Sequence, residues 1–517
     1  MFRIALQACL ALALGLSLPT AWGRELGIAL NEDDSHFFIS RPAERMTAEG
    51  LCDWVDQYAG TRVSHLFLCP NAMKASFRSE VWDAIWDVGG QIIREGDEAA
   101  RRWVDNARLL HERGLDPYAV WIARCREKGI SPWLSMRMND VHNVDDPKSY
   151  IHNHFWVDHP EYWRVPGSAG AWVDRAFDYG LPEVREHHMK FIRELLERYD
   201  PDGLELDWMR FGYHFKPGQE KEGAEILTAF MREVRELTST WSMKRGHPIL
   251  LGARVPTHPD AAVGLGMDGV RWVKEGLVDA LVPSPFWATT DFDIPIELWR
   301  ERIGPVPEHF VLAPGCEILS RAYPGAVPFE NDLASTYGFA AAGWSRGADQ
   351  MYLFNFMDPE PMRGPAGSYR TLLEKGLDRE TVTSALRRHP VTYRDTVPPE
   401  VSNSVVLPVE GRQGGTFQIY SGPVPNKGRV VFLAGLATRD SVADATFNVV
   451  VNEASCKPLP DYPKSDEFPG VTRAVQFDCP LSSLKEGYNR VAIQQPSDRT
   501  EQQIVWAELR VAPGSSD

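Results

Sequence analysis

The sequence predicts an α/β fold: a (β/α)8 barrel of the TIM type, followed by a C-terminal all-β sandwich or jelly-roll domain. Three observations predict it. Eight short apolar runs recur between residues 25 and 356, segments with helical spacing lie between them, and beyond residue 396 the chain turns into short strands and turns with little helix. The implied organisation is a leader at 1–23, a barrel at 24–396 and a sandwich at 397–517.

The runs are ELGIAL (25–30), VSHLFL (63–68), ISPWLSM (130–136), GLELDW (203–208), PILLGARV (248–255), VDALVPSPFW (278–287), HFVLAPG (309–315) and DQMYLFNF (349–356). They are nearly continuous rather than strictly alternating, as parallel strands buried on both faces are. Between them, 182–199 opens with Pro182 and Glu183, residues suited to a first helical turn. Its Val184, Met189, Ile192, Leu195 and Leu196 fall at three- and four-residue spacing, and Ile226, Phe230, Val234 and Leu237 form a second such stripe. Eight strand–helix units in series match a barrel. A doubly wound open sheet is the competing fold. It usually has fewer strands and a glycine-rich loop after the first, and none follows Leu30. The segments SVVLPV, GTFQIYSG, RVVFLAGL, ATFNVVVN, RAVQFDC, NRVAIQQ and IVWAELRV then read as antiparallel strands.

The leader carries one charge, Arg3, an apolar core from Ile4 to Leu18, and the small-x-small pattern Ala21-Trp22-Gly23. This reads as an export signal cut after Gly23, so the mature protein is expected to be periplasmic or secreted and not membrane-inserted. A hydrophobic content of 43% with 24% charged residues is that of a globular protein, and a formal net charge of −16 argues against nucleic acid or an anionic membrane as partner. Seven cysteines include Cys9 in the leader. Cys52, Cys69, Cys125 and Cys316 are scattered without metal-ligand spacing, and Cys456 and Cys479 share one late segment and could pair. No metal or cofactor is expected. A homo-oligomer is compatible with the sequence.

Barrel chemistry is built at the C-terminal ends of the strands. There the chain places Asn31, Glu32, Asp33, Asp34 and His36; then Arg137, Asn139, Asp140 and His142; then Asp207, Trp208 and Arg210; then Arg254 and His258; then Phe286 and Trp287; then Glu317; and last Asn355 and Asp358. Arg137, Arg210 and Arg254 end three consecutive strands, which lie about 4.8 Å apart in a sheet. They could converge as planar forks on an anionic substrate, although each alone is more often a partner for a local acid such as Asp140 or Asp207. Asp207, in the run DGLELD, is a candidate nucleophile, base or stabiliser of an oxocarbenium-like state. Its plain reading is a structural acid paired with an arginine. Glu205 lies deeper by strand geometry. His142 suits base work, since an unperturbed imidazole titrates near ~6.5. His152 and His154 are rivals, and HFW, PEYW and AWVDRAFDYG supply aromatic residues for sugar stacking or for core packing.

Together, EDDSH after the first strand, RMNDVH after the third, and the DGLELDWMRF region resemble barrel glycosidases of bacteria. More narrowly they resemble glycoside hydrolase family 156, inverting exo-sialidases with a (β/α)8 catalytic domain. LKEGYNRVAIQ followed by VWAELRV resembles the closing strands of jelly-roll domains in carbohydrate-active proteins. The family's aspartate–histidine pair would fall on Asp33 or Asp34 and on His142. The resemblance would put substrate contacts on Arg137, Arg210 and Asn355; the strand-end residues Asn139, Arg254, Trp287 and Glu317 are further candidate substrate contacts, and Asp207 is a further catalytic candidate. The resemblance implies a sialylated or other acidic glycan as substrate. The alternatives are a glycosidase of another specificity working through Asp207 and Glu317, and a non-catalytic carbohydrate-binding protein.

Overall fold

Parallel pairing of the apolar runs builds the main sheet. The computed structural model describes residues 26–514 apart from 88, 358–360, 399–400, 438–445, 465–466 and 497–500. The leader at 1–23 and Asp358 lie outside the described residues. The strands are β1 (Ile28–Glu32), β2 (Val63–Leu68), β3 (Ser131–Arg137), β4 (Gly203–Asp207), β5 (Leu250–Val255), β6 (Ala280–Pro283), β7 (Val311–Leu312), β8 (Gly315–Glu317) and β11 (Met351–Phe354), with a hairpin of β9 (Leu319–Ser320) and β10 (Phe329–Glu330) before the last. The nine parallel strands run in the order β7-β6-β5-β4-β3-β2-β1-β11-β8.

The count of nine differs from the eight runs because HFVLAPG is broken. Ala313 and Pro314 separate β7, which pairs with β6, from β8, which pairs with β11. Proline cannot donate to a ladder, so the interruption falls where the sequence puts it. The two end strands of the curled sheet are thus two residues apart in the chain.

Alternate residues of these strands point into the curl and pack there: Ala29, Phe67, Trp133, Leu250, Ala280, Val282, Val311, Ala313, Tyr352 and Phe354. Trp133 fills the centre, and its ring occupies the place a Cβ at Gly203 would need, 2.4 Å away. Only glycine fits there. One layer up, the interior is polar. Asn31 donates to Ser135 (3.1 Å) and Tyr352 (2.8 Å), and both of those hydroxyls donate to Glu205, at 2.6 and 2.8 Å. Burial, with Asp207 nearby, pushes the Glu205 carboxyl up to about 7. Glu205 therefore knits four strands together, which is why an acid alternates with leucine there.

Helices cover the outer face, and local chemistry sets their ends. Pro117–Lys128 starts with Asp116 accepting from the N–H groups of Tyr118 and Ala119, has Pro117 in its first turn, and stops at Gly129 with φ 77°. The expected helix at 182–199 is Pro182–Arg198, and the stripe of Ile226, Phe230, Val234 and Leu237 lies on the longer helix Glu220–Arg245. Among the described residues no helix is long and apolar enough to cross a membrane.

The C-terminal part holds two antiparallel sheets. A strand at Arg387–Pro390 pairs with Gln503–Pro513, which also pairs with Gly428–Ala437. Tyr488–Gln494 pairs with Gly415–Tyr420 and Asn448–Val451. The antiparallel region thus takes in chain ahead of residue 397. Arg388, on that leading strand, is buried between Glu508 (2.6 Å) and Asp332. Phe329 of β10 packs on Trp506, ring centres 4.8 Å apart, and on Phe468.

Cys456 and Cys479 face each other with sulfurs 2.8 Å apart, 23 positions apart in sequence. In the oxidised protein they are expected to form a disulfide worth about 3 kcal/mol. Intact mass under non-reducing conditions should be two hydrogens lighter than the sum of the residues; one titratable thiol for every cysteine of the denatured, unreduced protein would refute the pairing.

Candidate active site

At the C-terminal ends of the strands lies an open cavity of about 540 Å³, walled by Asp33, Asp34, Arg137, His142, Arg210, Glu317 and Asn355 among others. Seven residues named from sequence therefore meet around one space. Trp103 and Tyr150, which the sequence reading did not single out, add aromatic wall.

Arg137 organises one side. It is the last residue of β3 and is 5% exposed. Its guanidinium pairs with Asp33, lies 3.2 Å from Asp34 and donates to Asp140 at 3.0 Å. Asp33 is further fixed by Ser35, whose N–H (3.1 Å) and hydroxyl (2.9 Å) donate to it. Burial disfavours the Asp33 charge, but Arg137, the neighbouring Asp34 and Arg210 outweigh it and hold the carboxyl well below its usual range. Asp34 goes the other way. Burial raises it, Arg137 opposes, and the adjacent Asp33 charge adds to the rise, so it stays well above the usual range. Neither Asp34 oxygen has a hydrogen-bond partner among the described residues. Two neighbouring acids whose proton affinities are driven apart in this way are suited to different roles.

Asp140 connects this cluster to His142. Its carboxylate accepts from the His142 backbone N–H (2.9 Å) and lies 2.9 and 3.0 Å from Nδ1. It is held below the usual range against burial, first by His142 and then by Arg137. An aspartate bonded to Nδ1 leaves Nε2 of a half-exposed ring free for chemistry. The D-x-H spacing is the local signal that could have revealed this orienting role, which the sequence reading did not draw from it. Phe211 packs edge-on against the ring, centres 5.2 Å apart.

Arg210 has a different environment. It is 7% exposed, and its Nε and Nη1 have no hydrogen-bond partner among the described residues. Burial and Arg137 lower its proton affinity, and Asp33 and Asp140 act against them. A desolvated guanidinium with unspent donors is an anion site. Glu317, last in β8, takes both contacts from Asn355 Nδ2, at 3.1 and 2.9 Å. Burial pushes it up to about 8 despite that bond and the two arginines Arg210 and Arg254. Asn355 has φ 62°, a left-handed conformation that asparagine tolerates better than most residues.

Four residues named from sequence lie elsewhere. Asp207 pairs with Arg254 at 2.7 Å, and both are buried (2% and 0% exposed). Arg254 also donates to the Pro285 carbonyl (2.7 Å) and sits 3.7 Å over the Phe354 ring. The two strand ends neutralise each other inside the curl, so neither reaches the cavity wall. Asn139 is spent on backbone: it donates to the carbonyls of Phe177 (3.0 Å) and Tyr213 (2.9 Å) and accepts from Phe177 N–H (2.8 Å), stitching three loops. Trp287 is 37% exposed on the loop after β6, outside the cavity lining. Of the rival histidines, His152 holds the His142 carbonyl (2.9 Å) and His154 bonds Asp83 (2.8 Å). Among the described residues no group of three or more His, Cys, Asp and Glu side chains could hold a metal ion.

No protein-family model matches the chain, and no curated protein is significantly similar to it. Solved structures share weak likeness. A cycloisomaltooligosaccharide glucanotransferase from Paenibacillus sp. is 11% identical over 95% of this chain and 58% of its own, with a TM-score of 0.36. The α-L-fucosidase isoenzyme 2 of Paenibacillus thiaminolyticus is 13% identical over 69% of this chain and 48% of its own, at 0.40. A maltogenic α-amylase, AmyB, from Thermotoga neapolitana is 11% identical over 93% and 98%, at 0.37. The chain spans about half the length of the first two. All three are named for action on sugars, but TM-scores this low carry no argument about this chain.

Proposed function

We propose that the chain is a glycoside hydrolase, that its curled sheet works as a closed (β/α)8 barrel, and that it releases terminal sialic acid from glycans with inversion. The observation that carries this reading is the buried guanidinium of Arg210, whose Nε and Nη1 have no hydrogen-bond partner among the described residues, in the same cavity as an oriented histidine and the buried carboxyl of Asp34, which burial pushes up.

A sialic acid has a carboxylate on the reacting carbon. An enzyme carboxylate attacking there would meet like charge at about 4 Å, a repulsion of about 4 kcal/mol at an effective dielectric of 20. A neutral imidazole avoids this. In the proposed reaction His142 Nε2 takes a proton from water as that water attacks the anomeric carbon. The bond to the leaving oxygen breaks, and Asp34 gives its proton to that oxygen. Asp140 positions the ring, and the imidazolium formed is offset by the Asp140 carboxylate. Arg210 takes the substrate carboxylate, and Arg137 with Asp33 fixes Asp34. Glu317, whose carboxyl burial pushes up to about 8, donates a hydrogen bond to a substrate hydroxyl. The carboxylate-pair alternative finds less support, because Asp207 is tied to Arg254 and out of reach.

Proton NMR of a sialoside digest tests the proposal. The first-formed product should have the anomeric configuration opposite to the substrate. Retention, or no release of sialic acid, would overturn it.

A further inference from the structure

An aromatic ladder leaves the cavity at His142. Phe211 touches that ring, and Trp172 lies edge-on to Phe211 with centres 5.3 Å apart. Trp172 stacks on Phe286 at 6.2 Å and meets Tyr213 at 5.9 Å; Phe286 meets Trp287 at 5.8 Å. Trp172 and Trp287 are each 37% exposed, whereas Trp133, Trp156, Trp208, Trp272 and Trp299 are fully buried. Arg321 covers one side of Trp287, 5.6 Å from the ring centre.

The ladder is held rather than loose. The buried carboxyl of Asp395 accepts from three successive backbone N–H groups, those of Phe286, Trp287 and Ala288, at 3.0–3.2 Å. No core requirement explains why this fixed loop presents Trp287 to water and the short helical turn Trp172–Arg175 presents Trp172 beside it. Indole faces bind the C–H faces of pyranoses through dispersion and apolar burial, without needing charge.

We infer that Trp172 and Trp287 form a binding platform for the neutral sugars of the leaving group, beginning two ring contacts from His142. This rests on the glycosidase reading, since an exo-acting enzyme leaves every sugar beyond the terminal one outside the cavity. It commits the substrate class to oligosaccharide glycosides rather than simple ones. A protein partner would need no continuity with the cavity.

The test compares wild type with Trp172→Ala, Trp287→Ala and the double variant on two substrates, a methyl sialoside and a sialylated trisaccharide. The ratio of kcat/KM, trisaccharide over methyl, is expected to fall about tenfold or more in the double variant, through KM. An unchanged ratio overturns the platform. A second arm, calorimetry with lactose, does not depend on turnover. Millimolar binding lost in the double variant supports the platform even if no sialoside is cleaved, in which case the sialidase reading alone fails. No lactose binding by wild type counts against the platform. Both positions are exposed, and near-ultraviolet circular dichroism checks that the fold is kept.

Discussion

His142→Ala is expected to lower kcat on a sialoside about 10²- to 10⁴-fold, the usual worth of a positioned general base. KM should change little, because the carboxylate and hydroxyl contacts fall to Arg210 and Glu317. The ring is only half-buried and its loss exposes no new charge, so stability should hold. Asp140→Asn is the companion variant. It keeps the shape but can no longer bond Nδ1 as an anion, so kcat should fall with the histidine still in place and the pH profile should move. Retention of more than a tenth of wild-type kcat in His142→Ala would pass the chemistry to the carboxyls of Asp34 and Glu317.

The largest effect on stability is expected at Asp207. Asp207→Ala leaves Arg254 at 0% exposure with the Pro285 carbonyl as its main remaining strong partner, its Nε already lacking one among the described residues. Removing one member of a buried pair costs about 3–5 kcal/mol, because the survivor is an uncompensated charge in low dielectric. Urea denaturation should show this as a lower midpoint. The double variant Asp207→Leu with Arg254→Met should recover most of the loss, since apolar residues of similar volume dispense with both charges. If Asp207→Ala unfolds like wild type yet is inactive, Asp207 returns to the chemistry.

How far the sequence was legible depended on whether a signal was local. Strand runs, helix stripes and the acids and arginines at strand ends are read along the chain, and seven of the residues so named wall one cavity. Glu205 and Asp207 alternate with leucines along β4, and both acids face into the curl. Their fates did not follow from that alternation, since Glu205 joins Asn31, Ser135 and Tyr352, and Asp207 meets Arg254 on the next strand. Asn139 looked like a site residue because it follows β3, but its partners Phe177 and Tyr213 come from loops no periodicity places beside it. Asp395, 109 positions from Phe286, holds the Trp287 loop with no sequence sign of doing so. The opposite shifts of the Asp33 and Asp34 carboxyls were likewise illegible, for they depend on which of two adjacent acids Arg137 holds more closely.

The hairpin of β9 and β10 gives Leu319 and Glu330 to the cavity wall and turns Phe329 onto Trp506 and Phe468. Arg388 ties Asp332, just beyond that hairpin, to Glu508. The final hundred residues therefore act as a buttress for the mouth of the pocket, not as cargo strung behind it. A lineage that shed or swapped this tail would have to rebuild one lip of its own binding site.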